Sequence, residues 1–369
     1  MRGTPMKNRL FLLLSLCALI GQAEAAFVYH DGELTRKEDT PYLSAADHFE
    51  LGMNAFHHGD MNLAVKHLHI VSHNFSDTSY GQDAYFYLGI AYYRICEFDL
   101  ANCAFNGYLS CQSNPRFFQE AVEYKFAIAE QFRRGAKRHF RGSRFFPKWA
   151  SGKSLAIDIY DEIVSSMPGD EMTIKALYSK ACLLWHMGEF RDSVDSFQTI
   201  IRRFPKNELA PESYVRIMKV YIDQAKREKQ NPDLLTFAQM NLNRFEADFP
   251  RDSSLEVARR DYLHLKEMYA QALYDIAIFY ERVNEPRAAV IYYQKAYIDF
   301  PETVVAEKSR CRLSTLCPAA LIEVPKNEDE DEEGSEEFPD LIDEIEFVQM
   351  DSVNRNDKVA KALKLRSFV

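Results

Sequence analysis

Six histidines crowd one early stretch of the chain: His48, His57, His58, His67, His69 and His73. His69 and His73 stand four apart, so on a helix they share a face and could grip a metal ion together. No Cys, Asp or further His stands at a matching helical position to complete such a site. The six read as surface histidines, and no metal or cofactor is expected. There is no G-x-S-x-G, no phosphate-binding glycine loop and no H-E-x-x-H. Asp and Glu are scattered as on solvated helix faces, and no carboxylate pair stands out. The expectation is a non-enzymatic protein. Beyond residue 25 lie Cys96, Cys103, Cys111, Cys182, Cys311 and Cys317. They match no zinc spacing and read as buried free thiols, with Cys103 and Cys182 on helical stripes.

Two stretches carry binding rather than reactive chemistry. The first is 133–149, RRGAKRHFRGSRFFPKW. Its cations Arg133, Arg134, Lys137, Arg138, Arg141, Arg144 and Lys148 interleave with Phe140, Phe145, Phe146 and Trp149. Basic residues mixed with aromatics can grip single-stranded nucleic acid. In an exported chain the fitting counterparts are anionic lipid headgroups, a partner's acidic face or this chain's own acidic tail, and no nucleic acid is expected. The plainer reading is a solvated loop whose aromatics plug a gap.

The second stretch becomes visible only once the elements that hold it are read. Residues 176–205, ALYSKACLLWHMGEFRDSVDSFQTIIRRFP, form two amphipathic stripes broken at Gly188-Glu189 and closed by Pro205. Ala181 and Ser193, twelve apart, fall where the two helices would cross. The spacing recurs as Gly52–Ala64, Gly89–Ala101 and Ala277–Ala289. A second twelve-residue step runs Ala156–Pro168, Ser193–Pro205, Ala238–Pro250 and Ala289–Pro301. This pattern resembles the tetratricopeptide repeat. It implies an all-α superhelix, an α-solenoid of about six helix pairs. The units fall at 42–78, 80–115, 117–168, 172–205, 208–250 and 254–301, with a closing helix at 303–317.

In that repeat the concave groove is lined by set positions of each first helix. Counting from Ala45, Gln82 and Glu120, they are Phe49, Met53, Phe56, Phe86, Ile90, Tyr93, Tyr124 and Ile128, with Arg94 and Phe132 adjoining. Such a patch suits an extended peptide with aromatic side chains, Arg94 meeting a carboxylate. A register shifted by one would instead make these residues core.

The ends differ from the body. Arg2, Lys7 and Arg9 precede an apolar run, 10–20, and an Ala-Glu-Ala cleavage site at 23–25. The run is too short to span a bilayer, so the chain is read as exported, with 1–25 removed. Cys17 sits in a poor acylation context, Leu14-Ser15-Leu16-Cys17, which argues against a lipid anchor. Residues 26–41 show no periodicity and read as a flexible lead-in. From Asn327 onward 14 acids face 5 bases, a net of −9, so most of the overall charge of −10 lies there. This acidic tail, from 318, reads as disordered, with Leu341, Ile342, Ile345 and Phe347 as an acidic–hydrophobic binding element. Hydrophobic residues at 47% and 13% aromatics supply a core, and only 14 Gly and 14 Pro fit a helical rather than an all-β chain.

Three stretches together resemble the BamD family, tetratricopeptide lipoproteins of the outer-membrane β-barrel assembly machinery. The first is 45–132, with His58-Gly59-Asp60, Ala64, Ala91-Tyr92-Tyr93 and Leu100-Ala101. The second is the aromatic-rich insertion ending in Phe145-Phe146. The third is 259–301, with Arg260, Leu263, Leu265, Tyr269 and Asp299-Phe300-Pro301. The resemblance implies a periplasmic scaffold at the inner face of the outer membrane of a Gram-negative bacterium, associated peripherally with that membrane. Its partners would be unfolded outer-membrane proteins, received by the groove of units one to three, and the β-barrel assembly subunit. The latter would dock on the long helix 255–282 through Leu265, Tyr269, Tyr274, Ile278 and Arg282. Units four and five, with groove positions Tyr178, Cys182 and Trp185, have no counterpart in that family and read as a spacer. The weak Cys17 context is a further departure.

Two other readings stand beside it. An envelope adaptor of the cell-division-coordinator type, associated with Tol-Pal, shares the aromatic-Pro unit ends but usually begins with a coiled coil. A hydrolase with accessory repeats would need a second globular domain.

Overall fold

The computed structural model describes residues 27–30, 33–36, 40–111, 114–140, 147–228 and 231–318. The signal segment with Cys17, the loop residues Arg141, Arg144, Phe145 and Phe146, and the acidic tail beyond 318 lie outside the described residues. Everything described belongs to the compact unit that ends at Leu321.

Thirteen helices follow one another among the described residues. They are α1 (Ala45–His58), α2 (Met61–Asn74), α3 (Ser79–Arg94), α4 (Phe98–Cys111), α5 (Phe118–Arg133), α6 (Lys153–Ser166) and α7 (Glu171–Met187). The rest are α8 (Phe190–Arg203), α9 (Leu209–Arg227), α10 (Asp233–Asp248), α11 (Leu255–Arg282), α12 (Pro286–Asp299) and α13 (Val304–Leu316). Each packs on the next, and each odd-numbered helix from α1 to α11 also touches the following odd one. Six helix pairs and a closing helix therefore stack in sequence order as a tetratricopeptide-type α-solenoid.

Two small hairpins were not expected. β1 (Phe27–His30) pairs antiparallel with β2 (Glu33–Arg36), inside what reads as a patternless lead-in. Asp31-Gly32 between them is the dipeptide tight hairpins favour, and is the cue to the pairing. β3 (Lys137–His139) pairs with β4 (Lys148–Ser151) within unit three.

The twelve-residue spacing has a steric cause. Ala64, Ala101, Ala181, Ser193, Ala277 and Ala289 are all fully buried where the two helices of a pair cross. A Cβ on Gly89 would lie 2.8 Å from the Phe105 ring, and one on Gly52 would lie 3.0 Å from Leu68. Ser193 Oγ donates to the Ala181 carbonyl at 2.9 Å, tying α8 to α7 at that point.

The turns within pairs are equally regular. Gly59, Cys96, Gly135, Gly188 and Asn284 all take positive φ. In each case the next amide donates five residues back: Asp60 to Ala55, Glu97 to Tyr92, Ala136 to Gln131, Glu189 to Leu184 and Glu285 to Tyr280. This is the Schellman closure of a helix, which needs one left-handed residue and so favours glycine or asparagine. Between pairs the rule is different. Met167, Phe204, Phe249 and Phe300 leave the helix at φ near −130°. Proline follows each of them and disfavours a helical conformation in its predecessor.

Three buried clusters run along the array. The first joins α1–α7, the second α7 to the first half of α11, and the third the second half of α11 with α12 and α13. The six cysteines are free thiols, as expected, but not buried ones: Cys182 and Cys317 are half-buried, and the other four, Cys103 among them, are exposed.

The histidine cluster is not all surface. His48 and His67 are interior, with their Nδ1 atoms 3.0 Å apart. The Tyr42 and Leu43 amides donate to His48 Nε2. That nitrogen must be unprotonated, so His48 carries its proton on Nδ1 and donates it to His67. Burial pushes both rings below their usual pKa. His67 depresses His48 further, Asp47 partly offsets this, and Lys66 depresses His67.

Two outcomes test this account. Gly89→Leu forces a side chain into the Phe105 ring and should cost about 1–3 kcal/mol, read as a lower urea midpoint with unchanged slope. The neutral histidine pair contributes stability that is full above pH 6.5, the usual histidine value, and is lost as pH falls toward the depressed folded values. The thermal midpoint should therefore drop between pH 7.5 and 5 more steeply than in the His48→Leu/His67→Leu protein. Equal slopes would contradict the pairing.

Candidate functional site

The expected groove residues divide on burial. Phe56, Phe86 and Ile90 are buried, and Ile128 and Phe132 fully so. These five belong to the core, a correction to their reading as groove. Phe86 stacks on Phe117 at 4.5 Å and meets Phe105 and Tyr108 edgewise or tilted. Phe132 closes against Gly152, where a Cβ would overlap its ring. On α3 and α5 the reading register points into the seam between helices, not out of it.

What remains at the surface is a shorter row. Phe49 and Met53 on α1 and Tyr93 on α3 are half-buried, as is Tyr124 on α5, and Arg94 is exposed. Two further residues belong with them: Tyr80, 44% exposed, and half-buried Tyr87. Tyr80, Tyr87 and Arg94 are spaced by seven and so share one stripe of α3, a signal legible from spacing alone. That stripe interlocks with α1. Phe49 lies 5.6 Å from Tyr80 and 6.3 Å from Tyr87, and the Arg94 guanidinium sits 4.5 Å over the Phe56 ring. Stacking fixes the cation at the end of an aromatic row while leaving its N–H groups to solvent. Tyr93 packs between Phe98 and Tyr124.

The basic stretch is a docked hairpin. His139 of β3 is buried against the start of α4: its amide donates to Asp99 Oδ2 at 2.9 Å, and its Nδ1 lies 2.8 Å from the same oxygen. On the other side Glu97 Oε2 lies 3.4 Å from His139 Nε2. Lys148 of β4 reaches Glu97 at 2.8 Å and the Cys96 carbonyl at 3.0 Å. Glu97, Asp99 and His139 bring three donor groups close enough for a metal ion. The fit is poor, because both Asp99 oxygens already accept from His139 or the Leu100 amide, and the Lys148 ammonium supplies the cation beside Glu97. The cluster works as a staple across forty residues of sequence. Of the basic set, Lys148 is engaged there and Arg133 pairs with Glu130 at 2.6 Å. Arg138 is half-buried, while Arg134 and Lys137 are exposed. Phe140 and Trp149 project from the hairpin, 46% and 65% exposed, with ring centroids 6.5 Å apart.

On α11, Leu265 is fully buried and is core, a correction to its expected docking role. Tyr269 donates its hydroxyl to the Asn231 carbonyl, and Tyr274 packs edgewise on Tyr293 at 5.2 Å. Ile278 is half-buried and Arg282 exposed. Tyr269 and Met268, with Ala225, Ala272 and Ile276, border a cavity of 390 Å³ between α9 and α11.

The middle positions are used between units. Tyr178 donates to Glu212 at 2.6 Å and Trp185 to Asp223 at 3.1 Å, both joining α7 to α9. Burial pushes the Cys182 thiol up, which favours its protonated form.

No known protein family matches the chain, and no curated protein matches it. Among solved structures it is similar to MamA from Desulfovibrio magneticus RS-1, at 14% identity over 57% of this chain and 97% of that one, with a TM-score of 0.30. YrrB, described as a TPR protein with an unusual peptide-binding site, aligns at 12% identity over 59% of this chain and 92% of its own, TM-score 0.31. The C-terminal part of a TPR repeat-containing protein from Cytophaga hutchinsonii aligns at 15% over 73% and 88%, TM-score 0.32. Superpositions this loose carry no functional argument, and the repeat architecture rests on this chain's own helices.

Asp99→Ala should release the hairpin while sparing the helices. The His139 amide should exchange with deuterium at least tenfold faster, with α7–α13 protection unchanged. Unchanged exchange at His139 would refute the staple.

Proposed function

We propose that this protein is a non-enzymatic, exported scaffold that binds unfolded outer-membrane proteins in the periplasm and docks on the β-barrel assembly complex. The observation that carries the reading is the aromatic row on the odd-helix face of units one and two, Phe49, Met53, Tyr80 and Tyr87, ended by the stacked Arg94. An aromatic row in partial contact with solvent and closed by an oriented cation suits a peptide that ends in an aromatic residue and a carboxylate. Its place at the N-terminal end agrees with the client side implied by the BamD resemblance. The half-buried and exposed residues of α11, Tyr269, Tyr274, Ile278 and Arg282, form the docking side, and units four and five space the two.

A peptide copying the last strand of an outer-membrane protein should bind with an affinity that falls tenfold or more in Arg94→Glu and in Tyr80→Ala, since about 1.4 kcal/mol is one decade. A photo-crosslinking residue at position 80 should capture the same peptide. Unchanged affinity in both variants would remove this face from the reading. Purification from the envelope should bring down the barrel-forming subunit; recovery of Tol-Pal proteins in its place would favour the cell-division adaptor.

A further inference from the structure

A second binding surface lies on the opposite type of helix, in units four and five. α8 and α10, the second helices of their pairs, stand either side of α9 and leave a cavity of 310 Å³ between them. Tyr214 and Tyr221 of α9, both buried, form its floor. Phe237 and Met240 of α10 form one wall, 48% and 46% exposed, although nothing in a soluble helix pair requires large apolar side chains there. Arg202 on α8 and Arg244 on α10 stand at the two rims.

The charges at this cleft are unbalanced. Among the described residues neither Arg202 nor Arg244 has an ion-pair partner, and Arg202 makes only a long hydrogen bond to Thr199. The one carboxylate in the lining, Asp248, accepts the Tyr214 hydroxyl at 2.6 Å. The equivalent cleft in units two and three, between α4 and α6 over α5, is built the other way. There Lys125 rises from the floor, itself buried, and bridges Asn106 on α4 to Glu162 on α6. That cleft is closed by its own cation and anion; the cleft over α9 sets two rim cations against one lining carboxylate, Asp248, with aromatic and thioether surface between.

We infer that the cleft between α8 and α10 is a docking site for an acidic–apolar peptide, one in which large apolar side chains alternate with carboxylates. The apolar side chains enter against Phe237, Met240 and Tyr221, and the flanking carboxylates reach Arg202 and Arg244, which can each receive a carboxylate through two N–H groups. The site is independent of the aromatic row on α1 and α3, which lies on the odd helices and would take the carboxylate of a chain end.

The test is fluorescence anisotropy on the full chain with a labelled decapeptide alternating leucine or phenylalanine with glutamate. Binding should weaken with added salt. It should fall tenfold or more in Arg202→Glu/Arg244→Glu, in Phe237→Ala/Met240→Ala, and for the same peptide with glutamine in place of glutamate. All four positions are exposed, so the thermal midpoint should hold, and Arg244→Gln provides a milder variant with a smaller loss. Tyr80→Ala should leave this affinity unchanged while weakening the aromatic-ended peptide. The proposal is overturned by absence of binding, by equal affinity for the glutamine peptide, by a rim variant that binds as the parent does, or by loss on Tyr80→Ala.

Discussion

The close crossing of the two helices in each pair is the constraint on which the array depends. A pair of fourteen-residue helices cannot cover its own apolar faces, and most helical stability in proteins comes from packing such faces on neighbours. Small residues twelve apart let α7 and α8, or α3 and α4, approach until side chains of one reach the backbone of the other. The approach turns the remaining apolar surface outward along the stack, toward the next pair. Burying side chains such as Phe105, Phe197 and Phe245 within and between the pairs is worth roughly 1.5–3 kcal/mol each. The same geometry dictates the turns. A pair that closes tightly needs a left-handed residue at its corner, and the chain supplies one at all five described corners, even where it is Cys96 and not glycine.

Polar contacts repeat along with the apolar ones. Tyr178 donates to Glu212 and Tyr214 to Asp248, each 34 residues on, and Tyr160 donates to Glu130. Burial raises these phenols, and their carboxylate partners hold them up further, so each remains a donor at any physiological pH. On Glu130 the sign is mixed: burial pushes it up, but hydrogen bonds from Arg133, Tyr160 and Ser179 outweigh that and hold it below the usual range. A buried carboxylate with several donors is costly to disturb from one side only. The Tyr160 and Tyr214 bonds tie the two helices of one pair, while Tyr178 to Glu212, with Trp185 to Asp223, ties one pair to the next, a specificity the generic small-residue crossings do not supply.

How much of this was legible follows from the range of the interactions. The helix pairs were legible because their cause is local: twelve residues from crossing to crossing, twelve from crossing to proline. The long α11 was legible through the resemblance that implies one helix over 255–282. The groove was misread because the count of positions from a unit start carries an error of one, and on a helix one position is about 100° of rotation. That error sends Phe86 inward and leaves Tyr87 outside. Internal evidence for the better register existed in the sevenfold spacing of Tyr80, Tyr87 and Arg94. The staple of Glu97, Asp99, His139 and Lys148 had no such signal. It joins a helix start to a hairpin forty residues away, and nothing in either segment announces the other. His48 and His67 were hidden for the same reason, each looking like one polar residue among many.

An array of this kind spends nearly all its distinctive side chains on its own joints, and binding surface is what is left over. On the odd helices of units three to five the candidates for contact, Arg133, Tyr178, Trp185 and Arg216, are held by Glu130, Glu212 and Asp223 from the same array. The face there is rich in charge but internally satisfied, which suits a spacer. Units one and two differ because their aromatics contact one another and Arg94 finds a ring, not a carboxylate, as its partner. A ring orients a guanidinium without neutralising it, so the cation stays available to an incoming anion. Arg94 and the rim arginines of the α8–α10 cleft thus share one property despite lying on opposite kinds of helix: among the described residues none is held in a direct ion pair, Arg94 lying over Phe56 and Arg202 and Arg244 lining a cleft with Tyr214, Tyr221 and Phe237.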